Sequence, residues 1–330
     1  MNRTWKELEA YQPRVLKLLE NSIRKKRLAH AYLFEGKKGT GKKETAFLLA
    51  KSFFCTDRET AEPCGDCSSC RRIESGNHPD LHVIEPEGLS IKKHQIQSLQ
   101  EEFSKKGLES SKKFYMISHA DKMTANAANS LLKFLEEPGA DTIAVLTTSQ
   151  VHSILDTIQS RCQVLPFSPL PSYIIRQELE KEGVIGYMAA AAAQMTNNLG
   201  DASELSRNDW FAEARALVIK LYEALTVRKE QAIVFIHTQW MPFFSDKDLQ
   251  AQGLDLLLFL YKDLLSIQVG MEDAIIYIDM KESLKQEALQ TGQQRITEKV
   301  LSILETKRRL HSNANPQLLM EQLVLALQEG

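Results

Sequence analysis

Short apolar runs alternate with amphipathic stretches between residues 13 and 165 of the chain. The runs indicate strands, because strands buried on both faces of a parallel sheet are apolar throughout. The stretches indicate helices, because their apolar residues recur three and four positions apart. We predict strands at 31–35, 81–84, 114–117, 142–146 and 163–165, and helices at 13–23, 45–54, 91–103, 124–136 and 153–159.

The pattern changes after Pro166, where Pro169 and Pro171 mark a linker. Helical periodicity then continues through 174–182, 185–195, 210–225, 247–265 and 294–309. The apolar run 254–261 is too short to span a membrane and fits a buried bundle or an oligomer face. We therefore predict an α/β domain at 1–167, a small helical lid at 168–207 and a C-terminal all-helical domain at 208–330.

Composition places the chain among soluble globular proteins, with 330 residues, 43% hydrophobic and 25% charged. The formal net charge of −2 provides no overall attraction to nucleic acid or to an anionic membrane. No run of 18 apolar residues occurs, and the first residues are polar. We therefore expect no membrane span, no signal peptide and a cytoplasmic location, where thiols stay reduced.

The first predicted strand leads directly into a phosphate-binding loop. The pattern G-x-x-x-x-G-K-[ST] is complete at Gly36, Gly41 and Lys42, with Gly39 between them. Its last position should supply a hydroxyl that binds Mg²⁺, and here it is Lys43. An ammonium group has no lone pair and cannot bind a cation. The loop amides and Lys42 remain, so weak phosphate binding and a solvated leftover lysine both stay open.

Four of the five cysteines lie within 16 residues, as Cys55, Cys64, Cys67 and Cys70. The spacing C-x8-C-x2-C-x2-C in a reducing compartment indicates a metal site more than disulfides. Four thiolates close a tetrahedral site, so we expect a structural Zn²⁺ that serves as the core of a Pro- and Gly-rich segment. Free thiols and an iron–sulfur cluster are the alternatives, and His78 could replace one ligand.

Three further segments carry a family resemblance. His30–Gly36 leads into the loop, Asn129–Pro138 has the pattern N-A-L-L-K-x-L-E-E-P with serine at its second position, and Ser160–Cys162 spells S-R-C. Together they resemble the clamp-loader subunits of bacterial DNA polymerase III, an AAA+ family, and most closely its delta-prime type. The cysteine module at about 55–70 falls where that family carries a zinc insertion. The resemblance covers roughly residues 10–205, and it implies an AAA+ sheet domain, a helical lid and a helical collar.

The resemblance also implies which parts of the ATPase machinery this chain lacks. In the ATPase subunits the third strand ends in Asp-Glu, whereas this chain has Ser118 and His119. In the lid, Gly200 stands where a nucleotide-sensing arginine would be. Together with Lys43, these differences remove metal ligands, a water-positioning group and a phosphate sensor. We therefore expect no bound ATP–Mg²⁺ and no intrinsic ATPase activity.

Arg161 of the S-R-C motif is the functional residue that the resemblance implies. A guanidinium is planar, always charged and suited to phosphate. As an arginine finger it would act on a neighbouring subunit's ATP, an effect worth roughly 10³ to 10⁵ in rate. An intrachain ion pair is the alternative for Arg161. Cys162 fits a buried, small apolar residue better than a reactive thiol.

We interpret the chain, on this resemblance, as a non-hydrolysing subunit of the DNA polymerase III holoenzyme. It would form a hetero-oligomeric ring with ATPase (gamma/tau) subunits and the delta subunit, and through the complex it would support loading of the sliding clamp onto primed DNA. One alternative is an active AAA+ ATPase in which Asp121 and Thr45 replace the missing ligands. We expect Asp121 to lie past the sheet and Thr45 to face away. The other is a zinc-dependent nucleic-acid module, which near-neutral charge makes weak.

Overall fold

A computed structural model describes residues 4–58, 60–104, 112–137, 139, 141–227, 229–310, 312 and 314–329. The chain divides into two compact units, Met1–Leu170 and Pro171–Gly330. The finer division into three domains stays a prediction. Pro138, the last residue of the N-A-L-L-K-x-L-E-E-P match, lies outside the described residues.

The first unit contains a parallel sheet, as predicted. Its described strands are β1 Ala31–Glu35, β2 Leu81–Ile84, β3 Lys113–Ile117, β4 Thr142–Thr148 and β5 Gln163–Pro166. They lie in the order β2-β3-β4-β1-β5, so β1 is flanked by β4 and β5. Leu33 pairs with Leu146 on one side and with Val164 on the other. The carboxyl ends of these three neighbouring strands therefore meet at one edge, where open α/β sheets bind ligands.

Burial explains why the apolar runs became strands. Tyr32, Leu33 and Phe34 are completely buried, as a central parallel strand requires. β4 extends two residues beyond the predicted end, because Thr147 and Thr148 pair with the end of β1 and are buried despite their hydroxyls. The helices of this unit are α1 Trp5–Tyr11, α2 Pro13–Arg24, α3 Lys42–Phe54, α4 Ser68–Glu74, α5 Lys93–Ser104, α6 Ala125–Glu136 and α7 Asp156–Gln159.

Two helix starts position the site. α3 begins at Lys42, three residues earlier than predicted, because Gly41 before it adopts a left-handed φ of 88° that turns the loop into the helix. α6 begins after Thr124, whose hydroxyl accepts a hydrogen bond from Ala127 N. Leu131 and Leu135 of α6 then pack into the buried core of the sheet. The motif helix is therefore fixed at both its start and its apolar face.

The described residues of the second unit form helices and the turns that connect them, with no strand among them. Its α-helices are α8 Ser172–Lys181, α9 Gly186–Met195, α10 Leu199–Ser206, α11 Asp209–Thr226, α12 Ala232–Phe235, α13 Met241–Phe243, α14 Lys247–Gln268, α15 Lys281–Gln290, α16 Gln293–Leu310 and α17 Pro316–Glu329. The apolar run 254–261 lies in α14, and its leucines at 254, 256, 257 and 260 are fully buried, so this run forms bundle core. None of the described helices combines the length and apolar character needed to cross a membrane.

Candidate functional site

The phosphate loop keeps the backbone of a nucleotide site. It joins β1 to α3 at the carboxyl edge of the sheet. Gly36 N donates to Thr148 O at 3.1 Å, and Phe167 N donates to Glu35 O at 2.6 Å. A Cβ atom on Gly36 would lie 2.5 Å from the Phe167 carbonyl oxygen, so this position accepts glycine alone. The loop is therefore held against both strands that flank β1.

Lys42 is engaged by the loop itself. Its Nζ donates to Gly36 O at 2.5 Å and to Lys37 O at 2.7 Å, and it lies 3.4 Å from Thr40 Oγ1. Burial lowers the pKa of Lys42, while the charges of Glu44 and Asp121 act in the opposite direction. Backbone carbonyls thus occupy the donors that would otherwise face a nucleotide phosphate.

Lys43, at the position of the missing hydroxyl, is also engaged. Its Nζ donates to Glu85 Oε1 at 2.7 Å, and Glu85 directly follows β2. Both side chains are about half exposed, at 51% and 55%. The side chain that stands in place of the loop hydroxyl is therefore a cation paired with a carboxylate that follows β2.

The end of β3 offers no carboxylate. Ser118 is buried, its N donates to Ile84 O at 2.8 Å, and its hydroxyl has no hydrogen-bond partner among the described residues. His119 is exposed in a left-handed conformation with φ of 56°, and its N donates to Thr147 Oγ1 at 3.3 Å. Neither side chain can position water and bind Mg²⁺ as an Asp-Glu pair would.

Asp121 differs from the sequence-based expectation. It lies past the end of β3, as expected, but its carboxylate does not point away from the sheet. Its Oδ1 accepts from Thr148 Oγ1 at 2.8 Å and from Ser149 N at 3.3 Å, which brings it back to the end of β4. The short 3-10 turn Ala120–Lys122 reverses the chain and returns the side chain to the sheet edge. Thr45, the other substitute ligand, is fully buried, and its hydroxyl has no partner among the described residues.

Gly200 lies in the first turn of α10. Asn198 caps this helix, since its Oδ1 accepts from Gly200 N at 3.0 Å. The start of a lid helix is where the resemblance expects a sensor arginine. Because glycine has no side chain, no phosphate sensor can extend from this position.

Arg161 follows α7 and is bound within its own chain. Its NH2 donates to Glu136 Oε1 at 2.5 Å, and its NH1 donates to Thr157 O at 2.7 Å. The side chain is nevertheless 34% exposed. The neighbouring Cys162 packs against the core, and burial raises its pKa to about 12, so it is an inert thiol at neutral pH.

The four clustered cysteines come together in space. The Sγ atoms of Cys55, Cys64, Cys67 and Cys70 all lie within 4.8 Å of one another. Sulfurs around a tetrahedral zinc, at Zn–S of about 2.3 Å, would lie about 3.8 Å apart. The group therefore has the number of ligands and nearly the spacing of a closed metal site, and it could hold a metal ion.

Backbone N–H groups point at these sulfurs. Cys64 N donates to Cys55 Sγ at 3.3 Å, and Cys67 N donates to Cys64 Sγ at 3.3 Å. Burial opposes ionisation of Cys67, but backbone N–H groups of Cys70 and Thr56, together with hydrogen bonds from the Cys70 and Cys64 side chains, outweigh it and lower its pKa to about 6. Burial dominates at Cys55 and Cys70 and raises the pKa of both thiols. Donors aimed at sulfur favour the thiolate form that binds metal. His78 does not join the group, and its ring packs 4.2 Å from that of Phe54, centroid to centroid.

Comparison with known proteins decides the family. A profile described as "DNA polymerase III, delta subunit" matches residues 11–171, and one for the C-terminal part of the delta subunit matches residues 219–329. The DNA polymerase III subunit delta' of Bacillus subtilis strain 168 is 64% identical over 327 residues, which cover 99% of each chain. The chain belongs to the DNA polymerase III delta-prime family. This is a clamp-loader family, so the function expected from the sequence is confirmed at that level.

Two further matches are more distant. The tau subunit of the same Bacillus strain is 26% identical over 345 residues, covering 96% of this chain and 60% of tau. A solved gamma subunit-related protein of Thermotoga maritima covers 96% of this chain and 99% of its own, with a TM-score of 0.42 and 16% identity. The delta-prime family is thus related in sequence to the tau subunits.

Sequence reasoning missed two residues of this delta-prime site. Gln12, only 4% exposed, donates through Nε2 to Thr40 O at 3.0 Å and to Ser168 O at 2.7 Å, and so ties the phosphate loop to the segment after β5. Glu136 belongs to the N-A-L-L-K-x-L-E-E-P match but was given no role there, and it contacts Arg161. Glu136 carried one signal, a negative charge at a helix C-terminus, where the macrodipole disfavours it.

Proposed function

We propose that this delta-prime family member does not hydrolyse ATP and supplies Arg161 to the ATP of a neighbouring gamma/tau subunit. The loop of Gly36, Gly39, Gly41 and Lys42 would then bind nucleotide weakly or not at all. The chain would act as a support in the ring while its guanidinium stabilises phosphate charge on the partner. The observation that carries this proposal is the ion pair of Lys43 with Glu85 in place of a Mg²⁺ ligand.

Several contacts support the loss of hydrolysis. Lys42 donates to two carbonyls of its own loop, so binding a phosphate would require exchanging these bonds. The ends of β2 and β3 carry Glu85 and Ser118, the first paired with Lys43 and the second buried. Arg161, by contrast, keeps one third of its side chain exposed.

The test is ATP hydrolysis by the isolated chain beside hydrolysis by a reconstituted complex with gamma/tau and delta subunits. We expect no turnover by the isolated chain and DNA-stimulated turnover by the complex. Replacing Arg161 by alanine in the complex should lower DNA-stimulated ATPase and clamp loading while assembly stays intact. Unchanged activity of that complex would refute the finger role.

We propose Zn²⁺ as the metal of the four-cysteine group, in a structural role. Four thiolates leave no open coordination position for a substrate. The module is tied to the helix that leaves the phosphate loop, because Ser52 Oγ of α3 donates to Ala61 O at 2.8 Å. Trp5 Nε1 in turn donates to Ser52 Oγ at 3.0 Å. A folded module would therefore anchor both α1 and α3.

The proposed ring assembles through the C-terminal helical domain, residues 208–330. α16 and α17 expose several leucines there, with Leu301 at 58%, Leu304 at 43%, Leu318 at 53% and Leu325 at 46%. Exposed apolar groups of this kind are typical of partner contacts. The chain would contact the sliding clamp and primed DNA only through the complex. A role in loading the clamp onto DNA implies a cytoplasmic location.

An active ATPase is the second candidate, and one observation favours it. The Asp121 carboxylate reaches the end of β4, close enough to Lys42 for its charge to oppose the lowering of that pKa by burial. A carboxylate near the loop lysine is a potential Mg²⁺ ligand. Turnover by the isolated chain that Lys42→Ala abolishes would support this candidate, whereas its absence favours the first.

A further inference from the structure

The guanidinium of Arg161 is held at two points of its own chain. NH2 donates to Glu136 Oε1 at 2.5 Å, and NH1 donates to Thr157 O at 2.7 Å. The two partners differ in kind. Glu136 offers a surface carboxylate, whereas Thr157 offers a backbone carbonyl of α7, the short helix that precedes Arg161. The Glu136 side chain is 49% exposed and that of Arg161 is 34% exposed. The pair therefore lies at the surface, within reach of another molecule.

The backbones that carry the pair are fixed by the core. Glu136 is the last residue of α6, and α6 packs against α7, which precedes Arg161. Leu135 and Ile158 beside them are 2% and 0% exposed. The contact between NH2 and the Glu136 carboxylate can thus break while the backbone stays in place, so rotation of the Glu136 side chain alone frees NH2 for another acceptor.

Helix stability does not account for Glu136. A carboxylate in the last turn of a helix is disfavoured by the macrodipole. Glu137, the next residue, adds a second negative charge as the helix C-cap. The guanidinium of Arg161 offsets this charge at Glu136. Among the described residues, the contact with Arg161 therefore benefits from a carboxylate at this position.

We propose that Glu136 is a positioning residue that holds Arg161 withdrawn until a phosphate of the neighbour's ATP displaces its carboxylate. The inference rests on the proposed finger role. Carboxylate and phosphate compete for the same planar donor fork, and phosphate brings more charge. Because an exposed ion pair is weak, the exchange requires little free energy. The Thr157 carbonyl keeps NH1 oriented while NH2 changes partner.

Glu136 should therefore compete with the neighbour's ATP. Neutralising Glu136 frees NH2 of the Arg161 guanidinium and should lower the KM for ATP of the complex by about two- to fivefold. This factor corresponds to the interaction free energy of an exposed ion pair. The kcat should stay unchanged, because Glu136 no longer contacts Arg161 once the fork holds phosphate. A residue that merely stabilised α6 would shift neither parameter.

The experiment compares reconstituted complexes carrying Glu136→Gln, Glu137→Gln or Glu136→Asp, with ATP hydrolysis measured against ATP concentration in the presence of primed DNA. Glu137→Gln is the matched control, because it removes an equal charge from the next residue. Among the described residues, the Glu137 side chain makes no contact with Arg161. We expect a lower KM for Glu136→Gln, the native KM for Glu137→Gln, and a return toward the native KM for Glu136→Asp, which keeps the charge.

Arg161→Ala, alone and with Glu136→Gln, separates this inference from the finger role. If Arg161→Ala lowers turnover and the double variant matches it, Glu136 acts through Arg161. If Arg161→Ala lowers turnover but Glu136→Gln leaves KM unchanged, or Glu137→Gln lowers KM equally, the positioning role is wrong and the finger role stands. If Arg161→Ala leaves turnover unchanged, both are wrong.

Discussion

The phosphate loop and the Arg161 turn both present a cation suited to phosphate, but they hold it differently. Lys42 donates to backbone carbonyls of its own loop, which cannot move without opening the loop. Arg161 donates through NH2 to a carboxylate side chain at the surface, which can rotate away. The loop cation is part of the structure, whereas the turn cation can be transferred to a partner. Under the proposed function, the phosphate loop keeps its fold without the reaction, while Arg161 serves another subunit.

The largest difference is expected between variants of Arg161 and variants of Lys42 in the reconstituted complex. Arg161→Ala should reduce the rate at the site that it serves by roughly 10³-fold, the lower range for an arginine finger. Lys42→Ala should leave DNA-stimulated hydrolysis at the native level, because under the proposed function this loop does not turn over ATP. Arg161→Lys keeps the charge without the planar fork and should fall between the two. Equal losses in the Arg161 and Lys42 variants would remove the distinction.

Metal removal tests whether the stability of the fold around the phosphate loop depends on the cysteine module, which follows α3 directly. We expect about one Zn²⁺ per chain, and its removal by a chelator or by Cys70→Ser should lower stability by several kcal/mol, a part of the about 10–16 kcal/mol that structural zinc provides in zinc-finger peptides. Elemental analysis and thermal unfolding measure this. Cys162→Ser is the matched control and should retain the metal. A metal-free native chain that is indifferent to chelator would contradict the zinc proposal.

The variant Lys43→Thr restores the hydroxyl of the motif and tests whether this single position prevents ATP hydrolysis at the loop. The isolated chain should still show no turnover, because Ser118 and His119 supply no carboxylate. Losing the exposed pair with Glu85 should change the free energy of unfolding by at most about 1 kcal/mol. A coupled ATPase assay and urea unfolding give the two values. Turnover in this variant would mean that the loop is closer to an active site than its contacts suggest.

The smallest expected effect is the pH dependence that Lys42 contributes. Its folded pKa is lowered, mainly by burial, from the ordinary 10.5. The folded state therefore releases this proton at a lower pH than the unfolded state does. As pH rises from the folded pKa toward 10.5, Lys42 should increase stability. Lys42→Met should lack that increase in unfolding measurements at alkaline pH, and an identical slope in both proteins would argue against a buried ammonium.

The cysteine group and the helix of the N-A-L-L-K match could be predicted because each depends on short-range patterns. The spacing of Cys64, Cys67 and Cys70 brings their sulfurs together through one turn and the start of α4. The partners of the two cations could not be predicted in the same way. Lys42 contacts backbone carbonyls, which every residue has, so no residue type in the sequence indicates the contact. Arg161 contacts a residue 25 positions away. Asp121 was misplaced because a single 3-10 turn reverses its direction.

The amino-acid sequence by itself determined the parallel sheet, the helical second half, the metal-type cysteine spacing and the missing Mg²⁺ ligand, because these depend on local periodicity and on the chemistry of single side chains. The tertiary structure decided which contacts the side chains of the candidate site make. It paired Lys43 with Glu85 across 42 residues, closed Gln12 onto Ser168 across 156, and placed Glu136 against Arg161. Such contacts depend on how strands and helices pack, since packing decides which distant side chains become neighbours.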